Sequence, residues 1–225
     1  MASVSQVSHD GWDRYYQEQE GARAWNGVPD AFLLEHLDSI LPYKAAKVID
    51  VAAGDGRNSE PFLDRGLQVV STDLSPAALV SFRNRCRTEG KVPPVLIAGD
   101  FFALDFAPEQ FDCAVCFNSI PHFDSPAQAL DKIARLLVAG GRIAFNCFTS
   151  NDVAFGQGER LGANRFSYRD TLFTFMAEEE VHAILPDFVT VIRSETRRWE
   201  EPDHGSYRSG THTHEACFFI VERSS

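Results

Sequence analysis

Apolar residues along this chain gather into seven short runs set off by polar or glycine-containing segments: KVIDVA, LQVVST, PVLIA, FDCAVCF, GRIAFNCF, FVTVIRSE and EACFFIVE. Runs of this length, rich in Val, Ile and Phe, predict strands buried on one or both faces. Between them the pattern shifts to helical spacing. Leu130, Ile133, Ala134 and Leu137 predict a helix that starts after Ser125-Pro126 and is closed by Gly140-Gly141. Ser75-Pro76 marks a second start of the same kind. The hydroxyl caps a free N–H, and proline at the first helical position has no N–H to leave unpaired. Strands alternating with helices predict a parallel sheet covered on both faces. Only residues 197–214 separate the last two runs, and nothing there has helical spacing, so a hairpin is predicted and the final strand is reversed.

The predicted fold class is therefore α/β: a Rossmann-like, doubly wound, seven-stranded sheet, mostly parallel with an antiparallel last strand, and helices on both faces. A length of 225 residues suits one domain, 1–225. Two segments interrupt the alternation. Residues 9–41 form an aromatic-rich N-terminal helical cap, and residues 149–175, which follow the fifth strand, read as a lid or substrate loop or as a packed surface insertion. The first eight residues are polar and aperiodic, and are expected to be unstructured.

Composition changes this picture in two places. A formal net charge of −11 repels phosphate backbones and anionic lipids, which argues against nucleic-acid and membrane partners. The basic cluster from Arg83 to Arg87 reads as a solvated helix face. The first residues lack the basic-then-apolar pattern of a secretory signal and no apolar run reaches bilayer length, so no leader and a cytoplasmic protein are expected. The five cysteines are scattered, unlike a disulfide framework. Cys113 and Cys116 form a C-x-x-C inside a predicted strand; residues three apart point to opposite faces there and cannot share a metal.

Candidate chemistry is concentrated in VIDVAAGDGRN, residues 48–58. A strand ends at Asp50, a small-residue turn follows (Ala52, Ala53, Gly54, Gly56), and a helix is predicted from near Asn58. Such a turn lets a ligand approach the backbone and exposes helix N–H donors. The dinucleotide pattern G-x-G-x-x-G fails, because its third position is Ser59, and no Gly-Lys-Ser/Thr follows for a P-loop. Asp50, Asp55, Asp73 and Asp100 would repel a diphosphate, whereas a cationic, phosphate-free nucleotide cofactor suits them. Asp73 ends the second run, where a carboxylate accepts both hydroxyls of a ribose. Asp100 ends the third and is followed by Phe101, a pairing that serves an adenine amino group and ring. Asn118 ends the fourth.

The series DVAAGDGRN, STD, GDF and FDCAVCFNSIPHF resembles the successive motifs of the class I S-adenosylmethionine-dependent methyltransferases. GDGRNS, with WDRYY and WNGVPDAFL upstream, resembles their tellurite-resistance (TehB-like) small-molecule branch. The resemblance runs from about Trp12 to Val221 and is strongest before residue 150. It implies S-adenosylmethionine as cofactor, S-adenosylhomocysteine as product, and a small-molecule acceptor. It also implies that Asp50, Ala52, Gly54 and Gly56 line the methionine end, Asp73 the ribose, Asp100 and Phe101 the adenine, and Asn118 the sulfonium. Asn58, Leu74 and Trp25 complete the implied cofactor set. Ala52 and Ala53 depart from the Gly-Cys usual in the motif.

Methyl transfer needs alignment and exclusion of water, and a base only where the acceptor arrives protonated. The candidates for that role are His122, His204 and His212, with Arg57 near the acceptor or on a solvated helix start. His212-Thr213-His214 has the spacing of a metal pair, but the sequence offers no third ligand, so no metal is expected. Two other readings stay open here: a nicotinamide-dependent oxidoreductase, and a cofactor-binding module without catalysis. The acceptor, the methylated atom and the oligomeric state are not written in the sequence.

Overall fold

The computed structural model describes residues 4–18, 27–42, 44–201 and 210–224. Helix α1 (Val4–Glu18) is followed by the short α2 (Ala31–Glu35) and α3 (Leu37–Ile40). The first four strands are β1 (Lys47–Val51), β2 (Gln68–Asp73), β3 (Val95–Ala98) and β4 (Phe111–Cys116). They alternate with α4 (Glu60–Leu63) and α5 (Pro76–Thr88). A 3-10 turn, Ile120–His122, leads into α6 (Pro126–Arg135) and β5 (Leu137–Phe148). Three short strands follow, β6 (Glu159–Arg160), β7 (Arg165–Tyr168) and β8 (Thr171–Thr174), then α7 (Glu178–Ile184), β9 (Val189–Glu201) and β10 (His212–Arg223).

Seven strands form one sheet in the order β3-β2-β1-β4-β5-β10-β9, with β1 to β5 mutually parallel. β10 is antiparallel to both of its neighbours, the reversal that the hairpin predicts. Its two faces carry separate apolar clusters. Cys113 and Val115 of β4 belong to one, Ala114 and Cys116 to the other, so the C-x-x-C is split across the sheet and its thiols are buried. Burial in apolar surroundings pushes both thiols well above their ordinary range, which makes them inert. Ser75 and Ser125 cap α5 and α6 as expected, each accepting a hydrogen bond from the N–H three residues on.

The structure corrects five expectations. Backbone from Val4 onward is helical, because α1 is anchored by Trp12 and Tyr15 against the core. α6 ends at Arg135, and Gly140-Gly141 lies instead in β5. There β5 pairs Leu137 with Phe111 and Arg142 with Cys113, a bulge that Gly140 admits at φ +76°. The helix after the first turn begins at Glu60 and lasts a single turn. The hairpin loop is shorter than residues 197–214, since His212 and His214 belong to β10 and pair across to Glu201 and Trp199. Within the basic cluster Arg83 and Arg87 are exposed, but Arg85 turns inward and donates to Glu60 at 2.7 Å.

Candidate active site

The strand order reverses between β1 and β4, and in such sheets the crevice at the strand carboxyl ends receives ligands. A cavity of about 380 Å³ opens there. Its floor is the turn Ala52-Ala53-Gly54, and Thr72, Asp73 and Leu74 of the second strand end form one wall. Gly99, Asp100 and Phe101 close another, opposite Asn118, Ser119 and His122. Asn58 and Arg57 also reach it. Of the expected cofactor residues, the cavity thus gathers Ala52, Gly54, Asn58, Asp73, Leu74, Asp100, Phe101 and Asn118. Trp25 and His204 lie outside the described residues.

Asp50 and Gly56 stand apart from it. The Asp50 carboxylate points beneath the turn, where Ser59 Oγ donates to it at 2.6 Å. Gly56, at φ +82°, is backed by the buried Phe82, whose ring a Cβ would meet at 2.2 Å. Both residues shape the turn from below.

Asp73 ties two walls together. One carboxylate oxygen accepts from the Gly54 N–H at 2.7 Å and the other from the Ser75 N–H at 2.8 Å. A carboxylate oxygen can accept more than one hydrogen bond, and Asp73 lines the cavity. Ser75 Oγ in turn donates to Asp13 of α1 at 2.6 Å, which fixes the N-terminal helix beside this carboxylate. Burial, with Asp55 and Asp13 nearby, raises Asp73 to about 6, and burial raises Asp50 to about 7.

These shifts predict how stability varies with pH. A carboxyl whose folded value lies above its unfolded value of 3.8 stabilises the fold fully below that value. The contribution is lost as pH rises, and for Asp50 the loss is complete near 7. Over that window it falls by up to about 1.4 kcal/mol per pH unit. The Asp50→Asn variant is therefore expected to melt higher than the parent at pH 8, with the difference vanishing as pH falls below 3.8. Equal melting temperatures at pH 8, read by calorimetry, would remove Asp50 as the titrating group.

The remaining walls depend on contacts between distant residues. Asn118, at φ +57°, is held by Asn146 of β5: its N–H donates to Asn146 Oδ1 at 2.6 Å, and Asn146 Nδ2 returns a bond to its side chain at 2.8 Å. Lys132 Nζ donates to the carbonyls of Phe101, Phe102 and Leu104 at 2.8, 3.1 and 2.7 Å. One ammonium thus shapes the loop that carries Asp100 and Phe101. Asp100 holds the same loop by accepting from the Phe102 N–H at 2.9 Å. Tyr16 of α1 places its phenol over Gly54, where a Cβ would meet the oxygen at 2.2 Å.

His122 is enclosed by aromatic rings, with Trp12 at 4.9 Å and Phe173 at 4.6 Å between centroids. Its Nδ1 bonds the Leu172 carbonyl, which makes Nδ1 the protonated nitrogen. Burial lowers its value to about 4, so the ring is neutral at pH 7. Residues 159–174, folded as the small β6-β7-β8 sheet, pack by this contact against the cavity rim. Arg14 of α1 pairs with Asp170 of the same segment at 3.1 Å. His212 and His214 lie outside the cavity.

The sequence reading missed Tyr16, Asp13, Lys132 and Asn146. Only Tyr16 had a local signal, as one of the aromatics of the N-terminal helix.

Residues 49–145 match the family model described as a methyltransferase domain. The ubiquinone biosynthesis O-methyltransferase of Stutzerimonas stutzeri is 29% identical over 156 residues, covering 69% of this chain and 65% of that protein. The chain spans less than two thirds of the length of the first curated relatives it matches. Among solved structures, a putative methyltransferase from Bacillus halodurans aligns with a TM-score of 0.68 at 14% identity, covering 87% of this chain and all of that one. The 1,6-didemethyltoxoflavin-N1-methyltransferase of Burkholderia thailandensis, solved with 1,6-didemethyltoxoflavin and S-adenosylhomocysteine, aligns at 0.64 and 20% identity, covering 100% and 92%. The fold is that of the Rossmann-like methyltransferases.

Proposed function

From a chain that has the class I methyltransferase fold and carries a methyltransferase domain over residues 49–145, we propose an enzyme that moves the methyl group of S-adenosylmethionine onto a small molecule. The observation that supports this reading is the convergence of Asp73, Asp100, Asn118 and the Ala52–Gly54 turn on one cavity at the reversal of strand order. The donor set suits the cofactor: carboxylates for hydroxyl and amino groups, an aromatic ring for adenine, and among the described lining residues a single guanidinium, Arg57, against Asp55, Asp73, Asp100 and Asp124. Bound there, S-adenosylmethionine supplies a sulfonium methyl for in-line displacement and leaves as S-adenosylhomocysteine.

In this reading Asp73 accepts the ribose hydroxyls, and Asp100 with Phe101 receives the adenine. Ala52 and Gly54 approach the methionine end, with Asn58 and Leu74 completing the wall. Asn118 borders the sulfonium. Tyr16 and Trp12 cover the cavity from α1, and residues 149–175 act as the acceptor-side lid. His122, neutral and ring-enclosed, is the best placed of the candidate histidines to take a proton from a hydroxyl acceptor as it attacks. Arg57, whose guanidinium donates to the Val28 carbonyl at 3.0 Å, faces the same space.

The aromatic lining (Trp12, Phe117, Phe123) favours a flat, apolar acceptor such as a phenol or a heterocycle. Membership of the tellurite-resistance branch rests on GDGRNS and WDRYY, and it keeps metalloid oxyanions in the acceptor screen. A cytoplasmic setting belongs to the same reading. It is supported by five free, buried thiols, and no helix among the described residues is long and apolar enough to cross a membrane.

Parallel calorimetric titrations with S-adenosylmethionine, S-adenosylhomocysteine and NADH test the cofactor. Micromolar binding of the first two and none of the third is expected, followed by acceptor-dependent release of S-adenosylhomocysteine. NADH binding alone would overturn the reading in favour of an oxidoreductase. Binding without turnover for any thiol, phenol, amine or oxyanion would leave a module without catalysis.

Lys132 offers a second check. Replacing it with Met keeps the stem and removes the ammonium that holds three loop carbonyls. Hydrogen bonds to a charged group contribute about 1.5–3 kcal/mol each where buried, less where water reaches them, as here. Cofactor affinity is expected to fall about tenfold, with the far-ultraviolet spectrum unchanged. Full affinity in Lys132→Met would show that the loop holds its shape without it.

A further inference from the structure

The hairpin of β9 and β10 brings together three side chains that no part of the methyl-transfer reading uses. Glu201 is the direct cross-strand partner of His212, and His214 follows two residues on, on the same face of β10. The carboxylate oxygen Glu201 Oε2 lies 3.9 Å from His212 Nε2 and 3.6 Å from His214 Nε2. All three donor atoms fall within 4.8 Å of one another. From these atoms we infer a binding site for a divalent transition-metal cation of the zinc class, held by Glu201, His212 and His214.

The support comes from what holds each donor in place. His212 Nδ1 bonds the Gly210 carbonyl at 2.8 Å, and His214 Nδ1 bonds Asp152 Oδ2 at 2.7 Å. An Nδ1 that donates to a carbonyl or carboxylate carries the ring's proton, which turns the Nε2 lone pair of each ring toward Glu201. The carboxylate is oriented in the same way: Trp199 Nε1 donates to Glu201 Oε1 at 3.0 Å, leaving Oε2 toward the imidazoles. Histidine ligands backed by a carboxylate or carbonyl, with the ligating carboxylate itself hydrogen-bonded, are the usual outer arrangement of a metal centre.

Distances agree. Metal–nitrogen bonds of about 2.0–2.1 Å in tetrahedral geometry put ligand atoms about 3.3 Å apart. The two carboxylate–imidazole separations need to close by about 0.3 and 0.6 Å, and the two imidazole nitrogens, which lie within 4.8 Å of each other, by up to about 1.5 Å. Two imidazoles and one carboxylate select the borderline cations, zinc foremost, over magnesium or calcium, which prefer all-oxygen sets. Three protein ligands leave a fourth position open.

The site also has a definite place in the molecule. Asp152 is buried and belongs to the segment after β5, so a bound cation would fasten the loop end of the hairpin, where β9 stops and β10 begins, to that segment. Phe148 stacks on His214 at 5.7 Å and meets His122 at 6.4 Å, so one ring separates the metal from the cavity rim. The inference does not depend on which reaction the cavity performs.

The test uses untagged full-length protein stripped with EDTA. Titration with Zn²⁺ is expected to show one equivalent bound with a dissociation constant of about 1 μM or tighter, and to raise the melting temperature reversibly. Co²⁺ is expected to give visible ligand-field absorption at the same stoichiometry. His212→Gln and Glu201→Gln should each lose at least about a hundredfold in Zn²⁺ affinity, and Asp152→Asn about ten- to a hundredfold. Melting of each variant in EDTA shows whether it is folded. Should a variant fail to fold, the wild-type stoichiometry and Co²⁺ spectrum still decide. Absence of stoichiometric Zn²⁺ binding by folded wild type would overturn the inference, leaving the cluster as contacts that hold the hairpin together. Unchanged affinity in folded His212→Gln and Glu201→Gln would overturn it too, by placing the cation elsewhere.

Discussion

Asp73→Ala is expected to abolish measurable binding of S-adenosylmethionine, a loss of at least about a hundredfold. Removing the carboxylate takes away the acceptor proposed for both ribose hydroxyls. It also strips the partners from the Gly54 and Ser75 N–H groups, which are bonded at 2.7 and 2.8 Å. Each buried N–H left unpaired costs about 1–3 kcal/mol, so the variant is expected to be less stable as well as inactive. Asp73→Asn separates the two effects. The amide oxygen can accept one of the backbone bonds, but the NH₂ group cannot accept any, so the fold loses less while the ribose contact is still broken. Calorimetric titration of both variants, alongside thermal melts, checks this. Near-native affinity in Asp73→Asn would mean that the ribose is held elsewhere.

Gly56→Ala has the second large effect, and it acts on the fold first. The added methyl would arrive 2.2 Å from the Phe82 ring, which is fully buried on α5, and the backbone sits at φ +82°. A left-handed conformation costs a non-glycine residue about 1–2 kcal/mol, and overpacking a core adds about 1–3 kcal/mol. Together these predict destabilisation of about 3 kcal/mol, or a melting temperature lower by roughly 6–12 °C for a chain of this size. Cofactor binding should weaken with it, because Gly56 shares its turn with Ala52, Ala53 and Gly54, which line the cavity. Adding Phe82→Leu makes room for the methyl and should recover part of the stability, leaving the backbone strain. No recovery in the double variant would indicate that strain alone carries the cost.

What the sequence made legible was local. The first turn, the strand-end acids at 73 and 100, the serine–proline caps and the reversed last strand all depend on residues within a few positions of each other, or on the order of elements. Eight of the expected cofactor residues meet at one cavity because strand ends at a reversal of order converge whatever their loops do. The direction of individual side chains was not legible. Asp50 looks like a cavity acid in the sequence, yet it turns under the loop to Ser59. The partners that shape the walls are far apart in the chain: Lys132 reaches carbonyls about thirty residues back, and Asn146 reaches Asn118 across 28 positions. His212 and His214 were visible as a pair, but Glu201 became their neighbour only through hairpin register. A one-residue slip in that pairing would send the pair to the opposite face.

The place of β10 has a consequence for how the molecule is made. It enters the sheet between β5 and β9, both of which precede it in the chain. During synthesis β5 must therefore wait with an unsatisfied edge, and β9 with no sheet to join, until residues 212–223 have left the ribosome. Non-local pairing of this kind slows folding and leaves a row of open hydrogen-bonding groups along the growing sheet. The apolar stretch ACFFIV acts as a late key, and before it arrives the nascent domain is most exposed to pairing with the wrong chain.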